Sequence, residues 1–125
     1  MKMVLVVAAM VTALVSMAFA AGYKNIVSRD ARGLLAKNRS VYLLDVRTPD
    51  EYRQARLAGS VLIPVNEIER RLGEIPKNRP VLVYCAVGSR SGLVAGYLAG
   101  NGYREVYNMQ DGIVGWYRSG YPLSR

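Results

Sequence analysis

The chain has 125 residues, which is enough for one domain with a single hydrophobic core. It carries 17 basic and 9 acidic side chains, for a net charge of +8, together with one cysteine and no histidine. This composition excludes Cys–His and Ser–His catalysis, most zinc sites and any internal disulfide.

The charge favours small anions or anionic lipid as partners. Nucleic acid is not expected, because the basic residues are dispersed and no aromatic-basic platform accompanies them.

The N-terminal segment has the pattern of an export signal. Lys2 precedes an apolar run from Met3 to Phe19, which ends in the A-x-A sequence Ala18-Phe19-Ala20. Residues 1–21 are therefore predicted to be a signal peptide, and the protein to be exported, to the bacterial periplasm. The alternative is an uncleaved anchor with the domain facing outward, since the run nearly suffices to span a bilayer. Only in that case do we expect a membrane partner.

Short apolar runs alternate with helical patterns through the rest of the chain. Strands are predicted at about 41–44, 61–63, 81–84 and 106–108, and helices at about 28–38, from 49 onward, 66–72, 89–101 and 113–117. No two-residue hairpin signal separates the strands. The order predicts one α/β domain with an open, mostly parallel sheet flanked by helices.

Four local signals define the predicted helix ends. Ser28 and Asn66 are read as N-caps, and Thr48 caps a helix whose first position is proline. Gly102 is placed to end the fourth helix.

Cys85 follows the predicted strand at 81–84 and precedes the predicted helix at 89–101. The carboxyl end of a strand that leads into a helix is where open α/β sheets bind ligands. Amides of residues 86–90 (Ala86, Val87, Gly88, Ser89 and Arg90) can surround an anion, with Gly88 supplying the backbone freedom for the turn. We therefore expect a thiol with a lowered pKa that works without a general base. The hypothesis also requires a sulfur that the substrate can reach, and burial of that sulfur would contradict an enzyme.

Four segments, at residues 43–52, 58–64, 84–91 and 106–116, resemble the single-domain rhodanese family of sulfurtransferases. The resemblance covers residues 28–123. It implies a two-step sulfur transfer in which Cys85 attacks a sulfane donor such as thiosulfate, a polysulfide or a persulfide, and then passes the outer sulfur onward. The acceptor must be external, either cyanide-like or a thiol, including a protein thiol. Neither a metal nor a cofactor is implied.

The same resemblance assigns roles to residues around the cysteine. Residues 86–90 match the substrate-binding loop, in which Arg90 either contacts the donor or braces the loop. Asp45, Arg47 and Glu51 match positions that build the pocket, and Arg56 stands where the family often has histidine.

The chain departs from the family pattern at two further places. Asp111-Gly112 replaces a frequent Gly-Gly, which does not touch the sulfur. Ala86 and Val87 are uncharged where thiosulfate-specialised members commonly carry cations, and this departure bears on specificity. A bulkier, less charged donor or a protein persulfide is therefore expected over thiosulfate.

Two other functions stay open. One is a non-catalytic rhodanese-like binding or regulatory module. The other is a cysteine phosphatase or arsenate reductase, although related enzymes of that kind place five residues between cysteine and arginine and this chain has four.

Overall fold

The computed structural model describes residues 22–125, so the predicted signal peptide at 1–21 lies outside the described residues. The strands are β1 (Lys24–Ile26), β2 (Tyr42–Asp45), β3 (Val61–Leu62), β4 (Val81–Tyr84) and β5 (Val106–Met109). The α-helices are α1 (Ser28–Lys37), α2 (Pro49–Gln54), α3 (Ser89–Gly100) and α4 (Gly112–Arg118). Two short 3-10 turns lie at Val65–Glu67 and Leu72–Glu74.

The five strands form one parallel sheet in the order β1-β5-β4-β2-β3. The parallel α/β architecture predicted from the alternating pattern is thus confirmed. Because all strands point the same way, their carboxyl ends meet at one edge and their amino ends at the other. The central pairing of β2 with β4 sets Asp45 beside Tyr84, directly before Cys85.

Apolar layers cover both faces of the sheet. On one face, α3 and the 3-10 turns bury a cluster that includes Leu44, Val83, Val94 and Leu98. On the other face, α1 and α4 bury Ala31, Leu82, Met109, Ile113 and Trp116. A sheet covered on both sides explains why its strands read as continuous apolar runs. Within residues 22–125, no helix combines the length and apolarity needed to cross a bilayer.

The helix expected at 66–72 is absent, and that prediction is wrong. The amide of Val65 donates to the carbonyl of Val46 at 3.1 Å, which holds this segment to the end of β2. Farther on, the Tyr103 hydroxyl donates to the carbonyls of Leu72 and Ile75, at 3.1 and 2.6 Å. These long-range contacts hold the two ends of the segment in tight turns.

Two features of the first thirty residues also differ from expectation. β1 pairs with β5 as an edge strand that its three residues did not reveal. Ser28 is the first residue of α1 and makes no side-chain cap; the backbone amide of Ser28 instead donates to the Asp111 carboxylate at 3.0 Å. A carboxylate from elsewhere in the fold therefore takes the place of the expected serine cap.

Candidate active site

Cys85 lies at the carboxyl edge of the sheet, where β4 ends and the chain turns into α3. Gly88 makes this turn possible, with φ of +95°, a value that residues with a side chain rarely adopt. The turn directs main-chain amides inward, so that they surround the cysteine sulfur. The predicted cradle at the carboxyl end of this strand is therefore present.

Three donors contact the sulfur in this cradle. The amides of Gly88 and Ser91 lie 3.2 and 3.3 Å from Sγ, and the Ser91 hydroxyl lies 3.2 Å away. Burial disfavours the thiolate and is the largest single effect on its pKa. The Ser91 donors and the amides of Gly88 and Val87 together outweigh burial, so the pKa of Cys85 lies below its ordinary value. The expected activation by main-chain donors without a basic side chain thus agrees with the geometry.

Access to the sulfur differs from the sequence-based expectation. Cys85 has an exposed fraction of 0% and belongs to the apolar core cluster on the α3 face of the sheet. Val87, at the outer part of the loop, is 60% exposed. The expectation of a reachable sulfur is therefore wrong for the loop as it stands, and any attack on a donor requires the loop to uncover Sγ.

The start of α4 supports the loop from behind. The amides of Ile113 and Val114 donate to the carbonyls of Cys85 and Ala86, at 2.9 and 3.1 Å. Gly112 has φ of +63° and lies so close to the Ala86 carbonyl that a Cβ there would overlap it. The glycine at this position therefore allows two successive loop carbonyls to be held by α4.

Arg90 bridges α3 to α2. Its two terminal nitrogens donate to the two Glu51 carboxylate oxygens at 2.8 and 3.0 Å, a bidentate pair that is about two-thirds buried. Glu51 also completes the capping box of α2 with Thr48, whose capping role was predicted. The Arg90 guanidinium and the Thr48 hydrogen bonds outweigh burial and lower the Glu51 pKa to about 2. This geometry matches the bracing role considered for Arg90.

Asp45 and Arg47 form a buried ion pair at the end of β2. The Arg47 Nε and Nη2 atoms donate to the Asp45 carboxylate at 2.7–3.1 Å, and Nη2 also donates to the Ala55 carbonyl. The guanidinium also lies over the Tyr84 ring, 5.5 Å from its centroid. These contacts neutralise Arg47 and fix the chain next to the cysteine loop.

An open depression of about 520 Å³ lies beside Ala86 and is the candidate substrate entrance. Its lining consists of Arg47, Glu51, Gln54, Ala55, Ala86, Ile113, Val114, Tyr117, Arg118 and Leu123. Arg56 is not part of this lining. It contacts Tyr52 through the carbonyl and the ring, and its backbone pairs with Ser124, so only the structural part of its expected role agrees with the geometry.

Three functional positions were missed by sequence reasoning. Ser91 supplies two sulfur donors, and its place in the first turn of α3 was the signal that could have revealed it. The Arg118 side chain lines the depression and forms no ion pair or hydrogen bond with another described residue, a position that only the fold reveals. Asp111, noted only as a departure, links α1 to α4. Within residues 22–125, no three Cys, Asp or Glu side chains are grouped to hold a metal ion.

Comparison with known proteins agrees with this geometry. A family model described as rhodanese-like domain matches residues 28–119. A sulfurtransferase from Allochromatium vinosum is 40% identical over 89 residues, which cover 71% of this chain and 83% of that protein. The thiosulfate sulfurtransferase GlpE of Coxiella burnetii is 32% identical over 102 residues, which cover 82% of this chain and 94% of that protein.

A solved structure gives the same picture. The crystal structure of a rhodanese-related protein from Thermoplasma volcanium has a TM-score of 0.73 and 27% identity to this chain. The match covers 82% of this chain and 98% of the other.

Proposed function

Because the chain belongs to the rhodanese-like domain family, we propose that it is a sulfurtransferase in which Cys85 carries the transferred sulfur. Sulfurtransferases among its relatives support this class of activity. The observation that carries the proposal is the set of donors from Gly88 and Ser91 around Sγ, which favours negative charge on sulfur without a base.

The reaction takes place in two balanced steps. The Cys85 thiolate attacks the sulfane sulfur of the donor, a new S–S bond forms, and the bond from that sulfur to the rest of the donor breaks. When the donor is a thiosulfonate R–SO₂–S⁻, the leaving group is the sulfinate R–SO₂⁻. When the donor is thiosulfate, the leaving group is sulfite. The cysteine persulfide is also anionic and is stabilised by the same donors. An external thiolate or cyanide then attacks the outer sulfur and restores the Cys85 thiolate.

Donor entry requires a change in the loop. Sγ is buried, so the outer turn of the loop, which contains Val87, must move aside before the donor reaches it. The Val87 side chain is exposed and is therefore little held by packing. The carbonyls of Cys85 and Ala86 are hydrogen-bonded to α4, so this part of the loop stays in place while the outer turn moves.

The charges of the entrance favour a donor with one negative group and an apolar body. Arg47 is neutralised by Asp45, and the Glu51 carboxylate by Arg90, which leaves Arg118 as the uncompensated cation of the described lining. Ile113, Val114, Tyr117 and Leu123 provide an apolar wall. We therefore propose an organic thiosulfonate or persulfide as donor in preference to the dianion thiosulfate.

Steady-state kinetics test the proposed reaction. With benzenethiosulfonate as donor and cyanide as acceptor, initial rates over a grid of both concentrations should give parallel double-reciprocal lines. Such lines indicate a ping-pong reaction through an enzyme-bound sulfur. The Cys85→Ser variant should be inactive while retaining the far-UV circular dichroism of the parent. Turnover by Cys85→Ser, or no turnover of any sulfane donor by the parent, would contradict the proposal.

The burial of Cys85 favours one second candidate, a non-catalytic rhodanese-like module. In that case no sulfane donor reaches the sulfur, and the kinetic grid shows no turnover at any donor concentration. A phosphatase is less favoured, because Glu51 occupies the Arg90 guanidinium that would otherwise be free for phosphate.

A further inference from the structure

The edge of the sheet opposite Cys85 carries an unbalanced group of cations. Six exposed basic side chains lie in the segments that lead into the amino ends of the strands or at the start of β1; this basic edge consists of Lys24, Lys37, Arg39, Lys77, Arg79 and Arg104. They come from four separate segments of the chain, so the group is a product of the fold.

Direct contacts join three of these four segments into one surface, and Lys24 lies on the strand that pairs with β5. Lys77, Arg79 and Arg104 line a single depression, together with Glu105. Arg79 Nε donates to the Ser40 carbonyl at 2.6 Å, which links this depression to the segment containing Arg39. The basic edge is therefore continuous across the amino ends of β2, β4 and β5.

The basic edge differs from the catalytic edge in how its cations are paired. At the catalytic edge, Arg47, Arg53 and Arg90 are each bound to a carboxylate, and Arg118 is the one cation of the described entrance lining that has none. None of the six cations of the basic edge forms an ion pair with a described residue, although Lys77 and Arg79 lie over tyrosine rings. Glu74 is bound by Arg71, whereas Glu105 lies in the same depression, accepts from the neutral Tyr107 hydroxyl and keeps its charge. The six cations outnumber this carboxylate, so the basic edge keeps an excess of positive charge.

The apolar N-terminal run joins the domain at this same edge. Residues 1–21 lead directly to Gly22, where an added Cβ would lie 2.6 Å from the Cβ of Ala99, near the end of α3. Lys24 follows as the first residue of β1. An apolar segment suited to a membrane therefore connects to the edge of the domain that carries these six cations, while the cysteine loop lies at the opposite edge.

We propose that the basic edge is a docking surface for an anionic phospholipid bilayer. Phosphate groups of the lipid provide the negative charge that the described carboxylates do not. In this orientation the entrance beside Ala86 faces the aqueous phase, where a soluble donor and acceptor reach it. The contact is electrostatic and does not depend on whether residues 1–21 are retained, since the six cations all lie within the described domain.

Vesicle binding tests this surface with a form that begins at Gly22. This form contains both apolar layers, and the 94% coverage of the Coxiella burnetii relative supports an independently folding unit. Its sedimentation with vesicles of phosphatidylglycerol and phosphatidylcholine is compared with sedimentation with phosphatidylcholine alone. We expect binding to the anionic vesicles only, weakening as salt is added.

Two matched triple variants locate the contact. Lys37→Gln, Arg39→Gln and Arg104→Gln remove three cations of the basic edge that have no described partner. Arg29→Gln, Arg53→Gln and Arg70→Gln remove the same charge elsewhere on the surface. Each cation near an anionic surface contributes about fivefold, so the first variant should bind about 100-fold more weakly and the second nearly as well as the parent.

Four outcomes would overturn the proposal. Three are equal losses in the two variants, equal binding to neutral and anionic vesicles, and no vesicle binding at low salt. A fourth is tighter binding to a DNA duplex than to the vesicles, which would assign the surface to nucleic acid. Thermal unfolding of each variant checks that the fold is retained. None of these readouts involves sulfur transfer, so the result is independent of the proposed function.

Discussion

The state of the Cys85 sulfur depends on a small number of named donors. The Ser91 hydroxyl and amide and the Gly88 amide all lie within 3.3 Å of Sγ. A lone buried thiol is usually an inert small apolar residue with a raised pKa. Here the donors reverse that effect of burial, so the contribution of each donor to the pKa of Cys85 can be measured.

Replacing Ser91 by alanine removes the hydroxyl donor and keeps the amide. We expect the pKa of Cys85 to rise, because the thiolate loses a hydrogen bond that stabilises its charge. The pH dependence of iodoacetamide alkylation, followed by mass spectrometry, measures it. Since only the thiolate reacts, the rate rises as pH passes the pKa, and the variant's curve should lie at higher pH. The control is Ser89→Ala, an exposed serine of the same helix; identical shifts in both variants would contradict the role of Ser91.

Arg118 is expected to act on donor affinity. Replacing it by glutamine removes the uncompensated cation of the entrance, so KM for benzenethiosulfonate should rise about tenfold with kcat little changed. Arg125→Gln removes the same charge outside the lining and serves as the control. Steady-state kinetics at low and high salt measure KM and kcat of both variants. An unchanged KM in Arg118→Gln would show that this cation does not bind the donor.

At the scale of the elements, the cysteine loop is held by two helices that are separate in the chain. α2 reaches it through the Glu51–Arg90 pair, and α4 through the amides of Ile113 and Val114. The geometry of the loop therefore depends on these two connections.

Arg90→Ala breaks the connection to α2. If Arg90 braces the loop, the melting temperature and the rate of sulfur transfer should fall together. The free energy of unfolding should fall by about 1 kcal/mol, the value typical of a partly exposed pair. Arg90→Lys keeps the charge without the bidentate geometry, so its stability and activity should lie between those of the parent and those of Arg90→Ala. Loss of activity at unchanged stability would indicate that Arg90 binds the donor instead.

The Glu51–Arg90 pair also gives stability a pH dependence. Because the Glu51 pKa is lowered from 4.5 to about 2, its contribution is fully present above about 4.5 and is lost as pH falls towards 2. Urea unfolding of the parent and of Glu51→Gln at pH 7 and at pH 3 should give a larger difference at pH 7. A difference that grows at pH 3 would contradict the assignment.

Gly112→Ala tests the connection to α4. A Cβ would meet the Ala86 carbonyl at a backbone conformation unfavourable to side chains, so we expect a loss of about 2 kcal/mol or more. Gly73→Ala, where a Cβ meets no atom within 4 Å, should cost less than about 1 kcal/mol. Urea unfolding compares the two. Equal stability of both variants would show that α4 does not fix the loop.

For the whole molecule, the sequence was informative where structure depends on neighbouring residues. The capping box of α2 is contained in Thr48 to Glu51, and the buried strand at Val81–Tyr84 is a continuous apolar run. The motif around Cys85 likewise contains its own turn glycine. These elements and the parallel sheet were therefore predictable.

Features that depend on distant residues were not predictable. β1 exists because β5 pairs with it, and α1 begins with a hydrogen bond to Asp111, 83 positions away. The burial of Cys85 and the entrance lined by Arg118 depend on how α4 packs on the loop. The grouping of six unpaired cations at the amino ends of the strands likewise requires the strand order.

Intact-mass spectrometry of the form that begins at Gly22, after incubation with benzenethiosulfonate and without acceptor, tests the central claim most directly. The account predicts a gain of one sulfur atom on the parent protein, its loss on addition of cyanide, and no gain in Cys85→Ser. An unmodified mass with every sulfane donor, or the same gain in Cys85→Ser, would contradict it.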